Sequence, residues 1–297
     1  MSDSPRILIV GGTGQLGLEL QHSFAGTNPM VAVDREVVDL RVPDQIRSIV
    51  RSVKPDIILN SAAYTAVDRA ESEPEIAAAI NTRAPRILAE EALQAGALLV
   101  HYSTDYVFDG SKEEPWTETD APNPLNAYGA GKLGGEEAIR QAGGRYLIFR
   151  TSWVYGPHGK NFLLTMLRLG RERDRLTVVD DQFGAPTSSI ELARATRTIV
   201  DGVLAGQFGS VNEWAGLYHM TCSGSTSWYG FAEAIFARKE GQRPVLNPIP
   251  SSQYPTPAKR PGNSVLSNAK LTAKFGIELP SWETALDRVM AKLARTS

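Results

Sequence analysis

At 297 residues the chain is long enough for a large α/β domain with a second, smaller lobe. Its composition, 42% hydrophobic and 22% charged with a formal net charge of −2, is that of an ordinary globular protein and argues against the basic face that a nucleic-acid partner would require. The single cysteine, Cys222, excludes an internal disulfide and a cysteine-based metal site, fits a reducing compartment, and reads as an incidental thiol.

The chain opens Met-Ser-Asp-Ser-Pro-Arg and runs straight into a strand, without the basic-then-apolar pattern of a secretory signal. No apolar run approaches the ~20 residues of a membrane span, so a cytoplasmic protein without membrane attachment is expected. Short apolar runs then alternate with helical stretches. Arg6–Val10 predicts a strand, Gln15–Phe24 a helix, Met30–Asp34 a strand, Pro43–Val53 a helix and Ile57–Asn60 a third strand. Glu75–Ala95 predicts a helix, Leu98–Ser103 a strand, Tyr128–Gln141 a helix and Tyr146–Thr151 a fifth strand. The strand runs are continuously apolar, as in a parallel sheet covered on both faces. This rhythm implies a Rossmann-type, doubly wound parallel sheet over residues 1–151. From residue 152 to 297 short helices alternate with Gly-, Pro- and Ser-rich loops. That half is expected to form mainly a smaller substrate-binding lobe, with some chain crossing back and no flexible tether.

The turn after the first strand carries Gly11, Gly14 and Gly17 in a G-x-x-G-x-x-G pattern and opens a helix. Glycine permits the tight turn and the close approach of a pyrophosphate, and the free N–H groups of a helix N-terminus favour an anion. The spacing is that of extended short-chain dehydrogenases and sugar-nucleotide epimerases. Asp34 ends the second strand, where a carboxylate can accept from adenosine ribose hydroxyls or simply serve a turn. The adjoining Arg35 could instead pair with a 2′-phosphate, so NADPH and NADH both stay open.

Tyr128 and Lys132 form Y-x-x-x-K, which places both side chains on one face of a helix. An ammonium beside a phenol favours the phenolate, so the pair is expected to lower the tyrosine pKa and protonate the alkoxide that forms when hydride reaches a ketone. Lys132 could also bind the cofactor ribose. Thr104 and Asp105 end the predicted fourth strand, at the carboxyl edge where open α/β sheets bind ligands. Together these features describe a nicotinamide-dependent oxidoreductase.

Five runs make the reading specific: STDYVFDG (103–110), PLNAYGAGKLGGE (124–136), FRTSWVYG (149–156), DDQFGAPTS (180–188) and RPGNS (260–264). Over nearly the whole chain they resemble the dTDP-4-dehydrorhamnose reductases. The resemblance implies reduction of the 4-keto group of dTDP-4-dehydro-L-rhamnose by NADPH or NADH, the last step in making dTDP-L-rhamnose. It implies Tyr128 as proton donor, Lys132 as its partner and ribose ligand, and Thr104 on the 4-oxygen. Asp105 and Trp153 are implied at the sugar, although Trp153 also reads as a core indole. Gly14, Gln15 and Leu16 are implied at the pyrophosphate, and Asp34, Asp39 and Leu40 around the adenosine. Ala62, Ala63, Tyr64 and Thr65 follow the third strand toward the nicotinamide. Asp39 also reads as a helix cap. Arg260 suits a diphosphate clamp or a surface charge.

Some members of this family hold magnesium at a dimer interface through glutamates. Here the corresponding stretches read Ile190-Glu191 and Val289-Met290, which puts the metal site and the dimer built on it in doubt, so no metal ligand is assigned. A homodimer formed in another way stays open. A sugar-nucleotide epimerase or dehydratase of the same fold is one alternative, but a dehydratase wants an acid pair beside the threonine and Asp105 is followed by Tyr106. A non-catalytic regulatory subunit is another, against which Thr104, Tyr128 and Lys132 are all present.

Overall fold

The computed structural model describes residues 4–26, 28–239, 241 and 243–296. Strands β1 (Ile7–Val10), β2 (Met30–Val33), β3 (Ile57–Asn60), β4 (Leu98–Thr104), β5 (Arg145–Thr151) and β6 (Gly216–His219) form one parallel sheet in the order β6-β5-β4-β3-β1-β2. Every side chain of β1, β3 and β4 is buried, as their unbroken apolar runs require. Strand order reverses between β1 and β3, and this opens a crevice beyond their carboxyl ends.

Because side chains alternate along a strand, the sheet has two separate cores. One face carries Ile7, Ile9, Ile57, Leu59, Leu98, Val100, Leu147 and Phe149. Helices α1 (Gln15–Phe24) and a long C-terminal-half helix, Ser189–Leu204, cover it. The other face carries Leu8, Val10, Ile58, Leu99 and Ile148. It is covered by α2 (Pro43–Val53), with Ile46 and Val50 inward, by α3 (Ala84–Ala95), with Ile87 and Leu88, and by Ile139 of α4 (Ala127–Ala142).

The predicted helix over 75–95 runs from Pro74 but widens into a π turn at Ala79–Arg83 before α3. Pro85 has no N–H to offer the Asn81 carbonyl four residues earlier, so the α-helical ladder cannot run through this point. The sixth strand, β6, returns from the C-terminal half to pair with β5, Tyr218 opposite Phe149.

Helix α4 lies over β4 and β5 with charges as well as apolar groups. Lys132, Glu136 and Ile139 share its buried face, spaced four and three residues apart. Glu136 receives a two-pronged ion pair from Arg150 of β5, Nε to Oε1 at 2.9 Å and Nη2 to Oε2 at 2.6 Å, and a hydrogen bond from Ser103 of β4. Both partners of the ion pair are about 3% exposed. Removing one charge from such a pair leaves the other stranded in the interior, at a cost of about 3–5 kcal/mol. Glu136→Gln should therefore lower the unfolding free energy by roughly that amount, read as a fall in the urea midpoint at unchanged slope.

Candidate active site

The glycine turn is built for close approach. Gly11 has φ +89°, and a Cβ there would lie 2.8 Å from the Ala62 nitrogen. A Cβ on Gly17 would collide with the Gly11 carbonyl oxygen, so the first turn of α1 seats directly on the loop. Gly14 is the N-cap of α1 and supplies no side-chain cap, which leaves first-turn N–H groups for an anion. Leu16 is buried in the core. Gln15 is partly buried and accepts a 2.8 Å hydrogen bond from Asn161 at the start of helix α5 (Phe162–Glu172).

Across the switch point, the loop Ala62–Thr65 is held by Asn81 from the π turn. Its Oδ1 accepts from the Tyr64 N–H at 2.8 Å and its Nδ2 donates to the Tyr64 carbonyl at 3.0 Å. Asp34 caps the turn after β2 by accepting from the Glu36 N–H at 3.0 Å, and Arg35 beside it is exposed. Asp39 takes the Arg41 guanidinium at 2.5–3.0 Å, which holds its carboxyl down at about 2; Leu40 next to it is partly buried. The loops that follow β1, β2 and β3, with the first turn of α1, therefore carry the residues expected at the pyrophosphate, adenosine and nicotinamide, while Lys132, expected at the ribose, lies on α4. Open first-turn N–H groups beside a loop that no Cβ could enter fit a dinucleotide.

Thr104 and Asp105 close β4 and are 5% and 2% exposed. The Thr104 hydroxyl donates to Asp105 Oδ1 at 2.8 Å, and Ser152 Oγ donates to Asp105 Oδ2 at 3.0 Å. Ser264 lies near the same carboxylate, its hydroxyl donating to the Phe183 carbonyl at 3.1 Å. Burial nonetheless dominates and pushes the Asp105 carboxyl up to about 6. The Tyr128 hydroxyl lies beside Thr104, whose hydroxyl favours the phenolate.

Two findings differ from the sequence expectation. The Tyr128 phenol is pushed up, to about 12, because burial outweighs the effect of the Thr104 hydroxyl. The Lys132 ammonium does not offset this, because it bonds elsewhere: to the Tyr102 carbonyl at 2.5 Å and to His101 Nε2 at 3.2 Å. Burial pushes Lys132 itself down to about 8. Arg260 does not face open solvent with a free fork either. Its Nη1 and Nη2 hold Asp68 at 3.1 and 2.9 Å, and it lies near Tyr106, whose ring meets the Tyr128 ring edge-on at 5.8 Å.

Trp153 is only partly buried. It takes φ +47°, a left-handed conformation rare for a bulky residue, and stacks flat on Trp228 with centroids 3.5 Å apart. Trp228 opens helix α6 (Trp228–Ala237) of the second half. This indole partner, together with Asn60, Asn81, His101, Ser152 and Ser264, escaped sequence reasoning. Only the last two carried a signal, since both lie inside the runs FRTSWVYG and RPGNS.

Glu191, where the family's metal site would draw a carboxylate, is already ion-paired. It is 5% exposed and its Oε1 takes both Arg194 at 3.2 Å and Arg288 at 3.0 Å, so its charge is already matched. Among the described residues no group of three or more His, Cys, Asp or Glu could hold a metal ion. The residues do not fit magnesium. Nor is any described helix long and apolar enough to cross a membrane.

A family model described as RmlD substrate binding domain matches residues 5–295. The chain is 49% identical to a dTDP-4-dehydrorhamnose reductase of Burkholderia thailandensis, covering 95% of this chain and 96% of the relative. It is 45% identical to the Escherichia coli K12 enzyme of the same name, covering 98% and 99%. Among solved structures it is similar to the Bacillus anthracis dTDP-4-dehydrorhamnose reductase in complex with NADP, with TM-score 0.89, 35% identity, and 97% and 99% coverage. A Thermus thermophilus UDP-glucose 4-epimerase complex with NAD, at 21% identity, TM-score 0.78 and 98% and 99% coverage, shares the fold.

The raised carboxyl of Asp105 sets a pH signature. Unfolded, the group ionises near 3.8; folded, near 6, so the native state holds the extra proton in between and stability falls as pH rises through that window. Asp105→Asn removes this loss. The difference in urea-derived stability between variant and wild type should grow from about pH 4 to about pH 6 and then level off. A difference that stays flat would mean an ordinary carboxylate.

Proposed function

The chain belongs to the dTDP-4-dehydrorhamnose reductase family, and we propose that it reduces the 4-keto group of dTDP-4-dehydro-L-rhamnose to dTDP-L-rhamnose with NADPH or NADH. The observation that carries the reading is a cluster at the carboxyl edge of the sheet: the buried Tyr128 phenol beside Thr104, whose hydroxyl donates to Asp105.

A bound reduced nicotinamide supplies the hydride to the sugar's fourth carbon. The protein supplies the proton. Tyr128 stays a neutral phenol across the physiological range because its pKa is raised, and a sugar alkoxide is a far stronger base than a phenolate, so the transfer runs downhill. The substrate's 4-oxygen accepts the Tyr128 hydrogen. Thr104 steadies that oxygen once its own hydrogen turns from Asp105. The phenolate left behind gains from Lys132, which remains an ammonium below about pH 8.

Gly11, Gly14, Gln15 and Gly17 hold the pyrophosphate, with Leu16 anchoring the helix beneath. Asp34, Arg35, Asp39 and Leu40 surround the adenosine, and Ala62–Thr65 line the nicotinamide end. Residues 152–297 form most of the sugar-nucleotide lobe, where the Trp153–Trp228 stack offers an apolar wall. Arg260 reaches a diphosphate by exchanging Asp68 for it. No step requires a metal.

The direct test follows absorbance at the nicotinamide band with NADPH, then NADH, and dTDP-4-dehydro-L-rhamnose. One cofactor oxidised per dTDP-L-rhamnose formed is the expected result, and the two rates fix the preference. No oxidation by a folded chain that binds both cofactors would overturn the reading in favour of an epimerase or regulatory protein. Tyr128→Phe should lower kcat by roughly 10²-fold or more and leave NADPH affinity within about twofold, since only the proton donor is lost. Lys132→Ala should weaken both turnover and cofactor affinity.

A further inference from the structure

Beneath Lys132 lies a buried polar pair that the reaction as described does not use. Asn60 ends β3 and is 1% exposed; His101, on β4 directly beside it in the sheet register, is 0% exposed. His101 Nδ1 lies 3.0 Å from the Asn60 amide and Nε2 lies 3.2 Å from Lys132 Nζ. A histidine and an asparagine in this row interrupt a face otherwise built from Leu8, Val10, Ile58, Leu99 and Ile148. Polar groups in such a position cost free energy unless they bond to something.

Hydrogen-bond arithmetic assigns the proton. An ammonium only donates, so the ring nitrogen facing Lys132 must be an unprotonated acceptor. A neutral imidazole then carries its hydrogen on Nδ1, which needs an acceptor in turn. Asn60 is the group in reach. Its Oδ1 is buried without a partner while its Nδ2 faces the ring, and the two ends of a primary amide are nearly isosteric. Turning the amide puts Oδ1 on Nδ1–H. Burial and the neighbouring Lys132 charge both hold His101 well below its ordinary pKa, so the ring stays neutral. The other charges bearing on Lys132 are those of Glu136, one helical turn further on α4, and of Arg150 paired with it.

We infer that His101, oriented by Asn60 as the Nδ1–H tautomer, is a positioning residue for Lys132: its Nε2 and the Tyr102 carbonyl take two of the three ammonium hydrogens and thereby fix the direction of the third. An ammonium on a four-carbon stem otherwise rotates freely. Two anchors leave one N–H to meet the cofactor ribose or the Tyr128 phenolate. The inference rests on the reading of Lys132 given above for the reductase reaction.

Two measurements test it. In the full-length chain labelled with ¹⁵N-histidine, the resonances that vanish in His101→Gln identify the ring. They should show a protonated Nδ1 and an unprotonated Nε2, unchanged from about pH 5.5 to 9. The opposite tautomer, or titration near the ordinary value, would overturn the inference. This measurement needs neither substrate nor turnover, so it stands apart from any failure of the reductase reading.

The second measurement compares His101→Leu, which removes the acceptor, with His101→Gln, whose amide oxygen can replace it. Both NADPH affinity, from fluorescence, and kcat should have a basic limb set by Lys132. In His101→Leu the limb should move down by about one pH unit, giving a roughly fivefold loss at pH 8, and His101→Gln should restore most of it. A uniform loss in both variants, with the limb unmoved, would reduce His101 to a packing residue. If His101→Leu fails to fold, the tautomer measurement and the His101→Gln profile still decide the matter.

Discussion

The register of α4 against β4 and β5 is the constraint on which the site depends. Apolar contacts such as Ile139 on Ile148 tolerate small slides, whereas a buried carboxylate that must meet Arg150 and Ser103 together does not. Lys132, one turn before Glu136, adds a second fixed point on the Tyr102 carbonyl and His101. With both pinned, Tyr128, one turn earlier again, is set beside Thr104. The catalytic geometry is thus a consequence of how a helix is bolted to a sheet, at the desolvation cost that buried charges always carry.

The other half of the site follows from sheet order. Reversal between β1 and β3 makes two loops diverge, and Gly11 lets the first approach Ala62 of the second closely. That second loop would be free to move if Asn81 did not bond to both backbone groups of Tyr64. Asn81 lies within the π turn. A proline that breaks a helical ladder on one side of the crevice therefore sits within one turn of the residue that steadies the loop on the other.

Much of this was legible in the sequence because it is local. The strands and helices expected from residue 6 to 151 fall within one or two residues of those observed, apart from the π turn, since continuous apolar runs and glycine punctuation act over a few residues; the short turns Val67–Ala70 and Asp105–Val107 were not foreseen. Gly11, Gly14, Gly17, Tyr128 and Lys132 announce themselves by spacing. What depends on register was not legible: no pattern links Asn60 to His101, Ser152 and Ser264 to Asp105, or Trp228 to Trp153. The error over Tyr128 has the same origin. Adjacency on a helix suggested that Lys132 acts on the phenol, but a buried ammonium bonds to the nearest acceptors, and those belong to β4. Arg260 likewise read as a free charge because Asp68 lies 192 positions away.

The return of β6 to the sheet bears on modularity. The first 151 residues contain a complete nucleotide-binding pattern and look like a cassette that could be excised or exchanged. Cut there, β5 would present Leu147, Ile148 and Phe149 along an unpaired edge, the form of strand that invites other chains to add to it. The same cut would strip the helix Ser189–Leu204 from the apolar face that α1 shares with it. The two halves therefore depend on each other to complete one sheet and one core.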